Sequence, residues 1–317
     1  MIKCVSFQSA SLNSKNITNK TLDKQSAAVY PTFKEFSNNL FSHYASQVIN
    51  YPKGTTPNVA LQLKALNGSL DEKILKAKDI ILKDMNFPSD LVQCIDDDLA
   101  GSGYAAFSPA LGSVIVDKKA CQSPNAQFSD DEILCILRHE LDHLEVFVKL
   151  YKKLGSDEFE KLILGCEFLV GMLPPEKRKI NHEFYSKLAQ YVNVDNFDSD
   201  KYVDAIKNYC PVVLGNSPYE NFVGISKNFN NALEVSAQDK QRKLEHLMGV
   251  KTLDNFYSAI DEAKNFEKEI KQKGINEEKG VKELFDKQYA KALATTKLED
   301  NPQNWATIIQ QARKLID

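Results

Sequence analysis

Apolar residues recur at intervals of three and four along most of the chain after residue 129. This spacing is typical of amphipathic helices, because it keeps the apolar side chains on one face. The clearest stripe follows Ser129 and ends near Leu154, before Gly155. Ser129 has Glu132 three positions later, which is the spacing of a capping box. Further helices are predicted over 157–172, 175–192, 199–209, 229–248, 253–273, 276–296 and 302–316.

The pattern before residue 129 is mixed. Ser69 and Glu72 form a second capping-box pair at the start of a helical stripe that ends near Met85. Three short runs rich in β-forming residues follow, and turn residues separate them. They are 91–95, 104–107 and 113–116. We expect an α+β fold that is mostly α, with a small antiparallel sheet ahead of the long helix.

Changes in composition divide the chain into three parts. Residues 1–55 begin with a polar stretch that has little periodicity, which predicts a mobile tail followed by a weak helix. Residues 56–250 carry the strands and the strongest helices. Residues 251–317 are rich in Lys and Glu and predict a helical extension, which could bind a protein partner.

Charge and hydropathy exclude several classes of function. The net charge of −3 over 317 residues gives no basic footprint for nucleic acid. No apolar run approaches the roughly 20 residues of a membrane span, and the N-terminus lacks the apolar core of a secretory signal. We therefore expect a cytoplasmic protein, or one exported by a route that the sequence does not show. The six cysteines form no C-x-x-C pair, which favours reduced thiols.

The long helix carries the candidate chemistry in the segment His139-Glu140-Leu141-Asp142-His143. Residues four apart on a helix differ by about 40° in azimuth, so both imidazoles leave the same face and can share one metal ion. Glu140 lies beside the first histidine, where its carboxylate can take a proton from an activated water. The pattern is H-E-x-x-H, and it predicts a zinc-dependent hydrolase with Glu140 as general base.

This segment resembles the active-site helix of the zincin metallopeptidases. The resemblance implies a zincin-like core, in which the helix packs beneath a small sheet whose edge strand binds an extended peptide substrate. It also implies peptide-bond hydrolysis by zinc-activated water. Asp142 departs from the family pattern, because zincins usually have uncharged residues between the glutamate and the second histidine.

A catalytic zinc site needs a third protein ligand. Glu234 is our first choice, because the segment from Glu234 to Ala237 resembles the glutamate helix of gluzincin-like peptidases. Gln238 or Asp239 would then orient a histidine. The other candidates for the third ligand are Glu160, Glu167 and His182, and the candidates for a donor to the transition state are Tyr219 and His246.

Two alternatives remain open at this point. Peptide deformylases carry a segment similar to 139–144 and a glycine-rich segment similar to 101–106, and their third ligand is a cysteine, for which Cys121 has the right order. That resemblance also implies metal-dependent amide hydrolysis. The second alternative is a non-catalytic α-helical interaction protein on a zincin-like scaffold, which the Lys- and Glu-rich C-terminal helices would suit.

Overall fold

The computed structural model describes residues 51–99, 104–123, 128–170, 173–209, 218–219, 231–250, 254–300 and 302–316. The N-terminal tail and weak helix predicted for residues 1–55 therefore fall almost entirely outside the described residues. The described chain is mostly helical, with one three-stranded sheet. None of its helices combines the length and apolar character that crossing a bilayer requires.

Twelve α-helices lie in the described ranges, and three short 3-10 turns accompany them at 89–91, 175–177 and 189–191. The helices are α1 Pro57–Lys64, α2 Leu70–Asp84, α3 Lys118–Cys121, α4 Asp130–Leu154, α5 Ser156–Leu164, α6 Glu167–Val170, α7 His182–Leu188, α8 Ser199–Lys207, α9 Ala232–Met248, α10 Asp254–Gln272, α11 Glu278–Thr296 and α12 Pro302–Arg313.

Both predicted capping boxes are confirmed. At the start of α2 the Ser69 amide donates to Glu72 at 2.9 Å, and the Glu72 amide donates back to the serine hydroxyl at 3.4 Å. Ser129 and Glu132 make the same reciprocal pair at the start of α4. Each box satisfies amides that a helix N-terminus leaves without intrahelical partners, which is why both helices begin at the positions expected from sequence.

Two of the predicted helices are shorter or broken. The stretch predicted as one helix over 157–172 divides into α5 and α6, because the chain leaves the helix at Gly165. The helix predicted from residue 175 begins at His182, where the Asn181 side chain caps the amide of Phe184 at 3.1 Å. Residues 175–177, which follow Pro174, form only a 3-10 turn.

The sheet consists of β1 Gln93–Asp96, β2 Ala105–Ser108 and β3 Ser113–Val116, in the order β1-β3-β2. The antiparallel pairing of β2 with β3 is confirmed, but β1 runs parallel to β3, so the expectation of a purely antiparallel sheet is wrong. Alternation of apolar residues does not encode strand direction. The strand with the most buried residues, β3, is the central strand, so β1 and β2 each lie at an edge of the described sheet.

The described residues form two hydrophobic clusters. The first draws on residues between Val59 and Met248, and α4 lies at its centre, in contact with β2, α2, α7, α8 and α9. The second is built by α10, α11 and α12 together with Tyr219. The long helix that carries the H-E-x-x-H segment is therefore held on several sides, which fixes the direction of its side chains.

Candidate metal centre

His139 and His143 leave the same side of α4, as their spacing predicts. Their ring centroids lie 4.8 Å apart and the ring planes are nearly perpendicular. Leu137, Leu141 and Leu144 of the same helix are completely buried, so the turns that carry the imidazoles are packed into the first cluster. Such packing holds potential ligands in a fixed geometry before any ion arrives.

Glu234 meets both histidines from a different helix. Its Oε2 lies 3.3 Å from His139 Nε2, and its Oε1 lies 3.5 Å from His143 Nε2. The three side chains are each only 10–12% exposed. Glu234 is in the first turn of α9, which Asn231 caps by accepting a hydrogen bond from the Leu233 amide at 3.0 Å. We refer to His139, His143 and Glu234 as the donor cluster.

The donor cluster is strongly polarised. Burial opposes protonation of His139, but its hydrogen bond to Glu234 and the nearby charges of Glu140, Glu234 and Asp142 outweigh this and raise its pKa to about 9. Burial likewise opposes ionisation of Glu234, but the charge of His143, the hydrogen bond and charge of His139, and the hydrogen bond from Tyr209 lower its pKa to about 2. The carboxylate of Glu234 is therefore ionised at neutral pH.

Glu140 lies beside the donor cluster and faces the sheet. Its Oε2 accepts a hydrogen bond from the backbone amide of Phe107, in the edge strand β2, at 2.8 Å. Its carboxylate and the ring nitrogens of His139 and His143 lie within 4.8 Å of one another, so these groups could surround one ion. The amide of Phe107 fixes the carboxylate on the side of the cluster that the sheet covers.

Tyr209 is a site residue that the sequence analysis missed. Its hydroxyl donates to Glu234 Oε1 at 2.7 Å, and it follows the C-terminal end of α8. Neither a motif nor a periodicity marks this tyrosine in the sequence, because its role depends on how α8 and α9 meet. It holds the carboxylate oxygen that also faces His143.

Several predicted residues lie away from the donor cluster. Tyr219 belongs to the second hydrophobic cluster, where its ring is 4.9 Å from that of Phe285 and burial raises its pKa to about 12. His246 is exposed in the last turn of α9, about 18 Å along the helix axis from Glu234. The structure therefore brings neither candidate for transition-state donor to the histidines.

The candidates for orienting a histidine make no such contact. Asp239 pairs with Lys243 on the surface of α9 at 2.6 Å. Gln238 is buried, but its Nε2 has no hydrogen-bond partner within the described ranges, and the same holds for the Nδ1 atoms of His139 and His143.

The other candidates for the third ligand are also engaged elsewhere. His182 and Glu160 pair with each other at 2.9 Å, and Glu167 is exposed beside Arg178. The Cys121 thiol is completely buried and donates to the carbonyl of Tyr104 at 3.6 Å. Burial and the charges of Asp117 and Asp96 outweigh a backbone hydrogen bond, which lowers the pKa of Cys121, and raise that pKa to about 12, so this thiol is protonated at neutral pH. A thiol must lose its proton to bind zinc.

Comparison of the chain with models of known protein families gives no match, and neither curated proteins nor solved structures match it.

Proposed function

We propose that this protein is a zinc-dependent hydrolase of the zincin type, with His139, His143 and Glu234 as zinc ligands and Glu140 as general base. The observation that carries the proposal is the donor cluster itself. Two imidazole Nε2 atoms on α4 meet one carboxylate from α9, although Glu234 lies 91 residues beyond His143 in the chain.

The donor cluster suits zinc in kind and in number. Two histidines and one glutamate are a ligand set of catalytic zinc sites, which keep a further position open for water or substrate. Ionised Glu234 supplies the negative charge, and its low exposure removes competing solvent. The resemblance between 139–143 and the zincin helix rests on the same residues, so motif and geometry support one proposal.

Zinc in this position would supply Lewis-acid activation of water and of a substrate carbonyl. Glu140 would accept the proton of the attacking water and pass it to the departing amine nitrogen. The hydrogen bond from the Phe107 amide holds the Glu140 carboxylate in place for both transfers. Burial beside the first hydrophobic cluster limits the access of bulk water to the reacting groups.

A peptide is the substrate class that we infer. The active-site helix lies against β2, and β2 is an edge strand with β3 on one side only in the described sheet. An extended peptide can pair with such an edge through main-chain hydrogen bonds. Together with the helix beneath the sheet, this arrangement supports a zincin-like core for residues 56–250.

Zinc content and peptidase activity test the proposal separately. We expect one zinc per chain in the wild type after reconstitution and none in the double variant His139→Ala, His143→Ala. Equal zinc in the two proteins would refute the metal centre. Glu140→Gln should keep zinc and lose about 10²–10⁴-fold in turnover on a peptide-library substrate.

Glu145→Gln is the matched control for Glu140→Gln. Glu145 lies on the same helix and pairs with Lys149 at 2.6 Å, so its substitution should leave turnover unchanged. A wild type that holds zinc but cleaves no peptide would instead favour the non-catalytic scaffold.

A further inference from the structure

Asp142, the residue that departs from the zincin pattern, is completely buried in α4. Its Oδ1 accepts a hydrogen bond from Lys240 Nζ of α9, which is a contact between the two helices that supply the donor cluster. Arg138, one turn earlier in α4 and also completely buried, places its Nη1 3.9 Å from the same oxygen. Burial raises the pKa of Asp142, but the charges of Lys240 and Arg138 and hydrogen bonds from Lys240 and Ser236 lower it below its usual value.

The ion pair lies close to the donor cluster on both helices. Asp142 directly precedes His143, and Lys240 lies six residues beyond Glu234, about 9 Å along the axis of α9. Further along, Cys135 of α4 contacts Met248 of α9, with the two sulfur atoms 3.7 Å apart. Later residues of α9 thus meet earlier residues of α4, so the two helices are antiparallel. The Asp142–Lys240 ion pair lies between the donor cluster and the Cys135–Met248 contact.

Hydrophobic burial alone specifies the register of α9 weakly. Its buried apolar residues lie at 233, 237, 244 and 248, so a shift of one turn would still bury part of the stripe. A shift of one turn moves a side chain by about 5.4 Å, which would break a charge contact completely. It would also remove the hydrogen-bonded cation from a completely buried carboxylate and leave it only the more distant Arg138 at 3.9 Å, and removing one partner of a buried charge contact is unfavourable.

We propose that Asp142 and Lys240 are positioning residues, whose ion pair fixes the register of α9 against α4 and so delivers Glu234 to His139 and His143. This inference rests on the proposed function, because the consequence of the correct register is a complete zinc site. It also gives a physical reason for an acidic residue inside the H-E-x-x-H segment.

The test compares zinc affinities of full-length variants, measured by competition with a chromophoric chelator. Lys240→Met removes the cation, and we expect zinc to bind roughly 10–100-fold more weakly, the loss typical of residues that support a ligand. Lys240→Arg keeps the charge and should remain within about threefold of the wild type. Lys243→Met is the matched control, because Lys243 lies on the same helix and pairs only with Asp239 among its described contacts.

A readout of coordination separates positioning from general stability. With Co²⁺ in place of zinc, Lys240→Met should change the visible absorption spectrum, because Glu234 would leave the first coordination sphere. Lys240→Arg and Lys243→Met should keep the wild-type spectrum. If Lys240→Met does not fold, the double variant Asp142→Asn, Lys240→Met replaces it in the same comparison, because it leaves neither partner of the ion pair charged.

Folded Lys240→Met, or the double variant in its place, with the zinc affinity and cobalt spectrum of the wild type would overturn this inference while leaving the proposed function intact. A wild type that binds no zinc, or binds it equally without His139 and His143, would overturn both.

Discussion

Replacing Glu234 by alanine should weaken zinc binding by about 100-fold or more. The substitution removes the carboxylate whose two oxygens lie 3.3 Å and 3.5 Å from the imidazole Nε2 atoms of His139 and His143. Loss of a residue that only supports a ligand typically costs 10–100-fold, so loss of the ligand itself should reach at least the upper limit. A 100-fold change corresponds to about 2.7 kcal/mol of binding free energy.

Competition between zinc and a proton on His139 will reduce the measured loss of zinc affinity at neutral pH. In the metal-free wild type, the pKa of His139 is raised to about 9, so zinc must displace a proton. This competition weakens the wild type about 30-fold at pH 7.5, and it is smaller in Glu234→Ala, because the carboxylate that is hydrogen-bonded to His139 is gone while the charges of Glu140 and Asp142 remain. The ratio between the two affinities should therefore be larger at pH 9 than at pH 7.5.

The assay is chelator competition at both pH values, with thermal unfolding of each metal-free variant to verify folding. Glu245→Gln is the matched control, because Glu245 is a second buried glutamate of α9 and bonds to Gln241 at 2.8 Å. Cys121→Ser tests the deformylase-like alternative and should leave zinc affinity unchanged. A large loss in Cys121→Ser with none in folded Glu234→Ala would refute the reasoning.

Three further predictions concern the Tyr209 hydroxyl, the protonation of His139 and the backbone at Gly54. Tyr209→Phe removes the hydroxyl that donates to Glu234 at 2.7 Å and should weaken zinc about tenfold in the chelator assay, whereas an equal affinity would exclude this support. In metal-free protein, the raised pKa of His139 stabilises the fold fully below about pH 6.5, and this contribution is lost as pH rises through about 9. Denaturant unfolding should show the loss, and His139→Gln should remove it. Gly54→Ala should lower stability by about 1–3 kcal/mol, because φ is +74° and the new Cβ would lie 2.6 Å from an arginine side chain of α4. Gly155 also has a positive φ, but its Cβ position is open, so Gly155→Ala should lower the stability measured by thermal unfolding less than Gly54→Ala does.

Local sequence signals predicted the part of the site that lies on one helix. The Ser129 capping box and the apolar stripe place His139, Glu140 and His143 correctly on α4, because both signals act within a few residues. Glu234 required a resemblance, since spacing along the chain does not say which helices will pack together. Tyr209 carried no signal at all, because its partner belongs to another helix.

The contacts of charged helical residues are harder to predict from sequence than the helices themselves. Lys240 stands in a polar stretch of α9 and has the sequence environment of a solvated lysine, yet its ammonium group reaches a buried carboxylate. The direction of β1 relative to β3 was mispredicted for a related reason, because it depends on the path of the connection and not on residue alternation. Both features are properties of the packed chain.

The donor cluster exists only where α9 lies against α4, so ligand geometry and helix docking are linked. Without metal, the raised pKa of His139 and the lowered pKa of Glu234 favour an ion pair between a protonated imidazole and an ionised carboxylate. That proton supplies a positive charge where zinc would supply two, and it holds the same side chains together. Zinc binding would then exchange one cation for another within an arrangement that already exists, which lowers the ordering cost of forming the site. The Asp142–Lys240 ion pair maintains the docking with and without zinc, because neither residue belongs to the donor cluster.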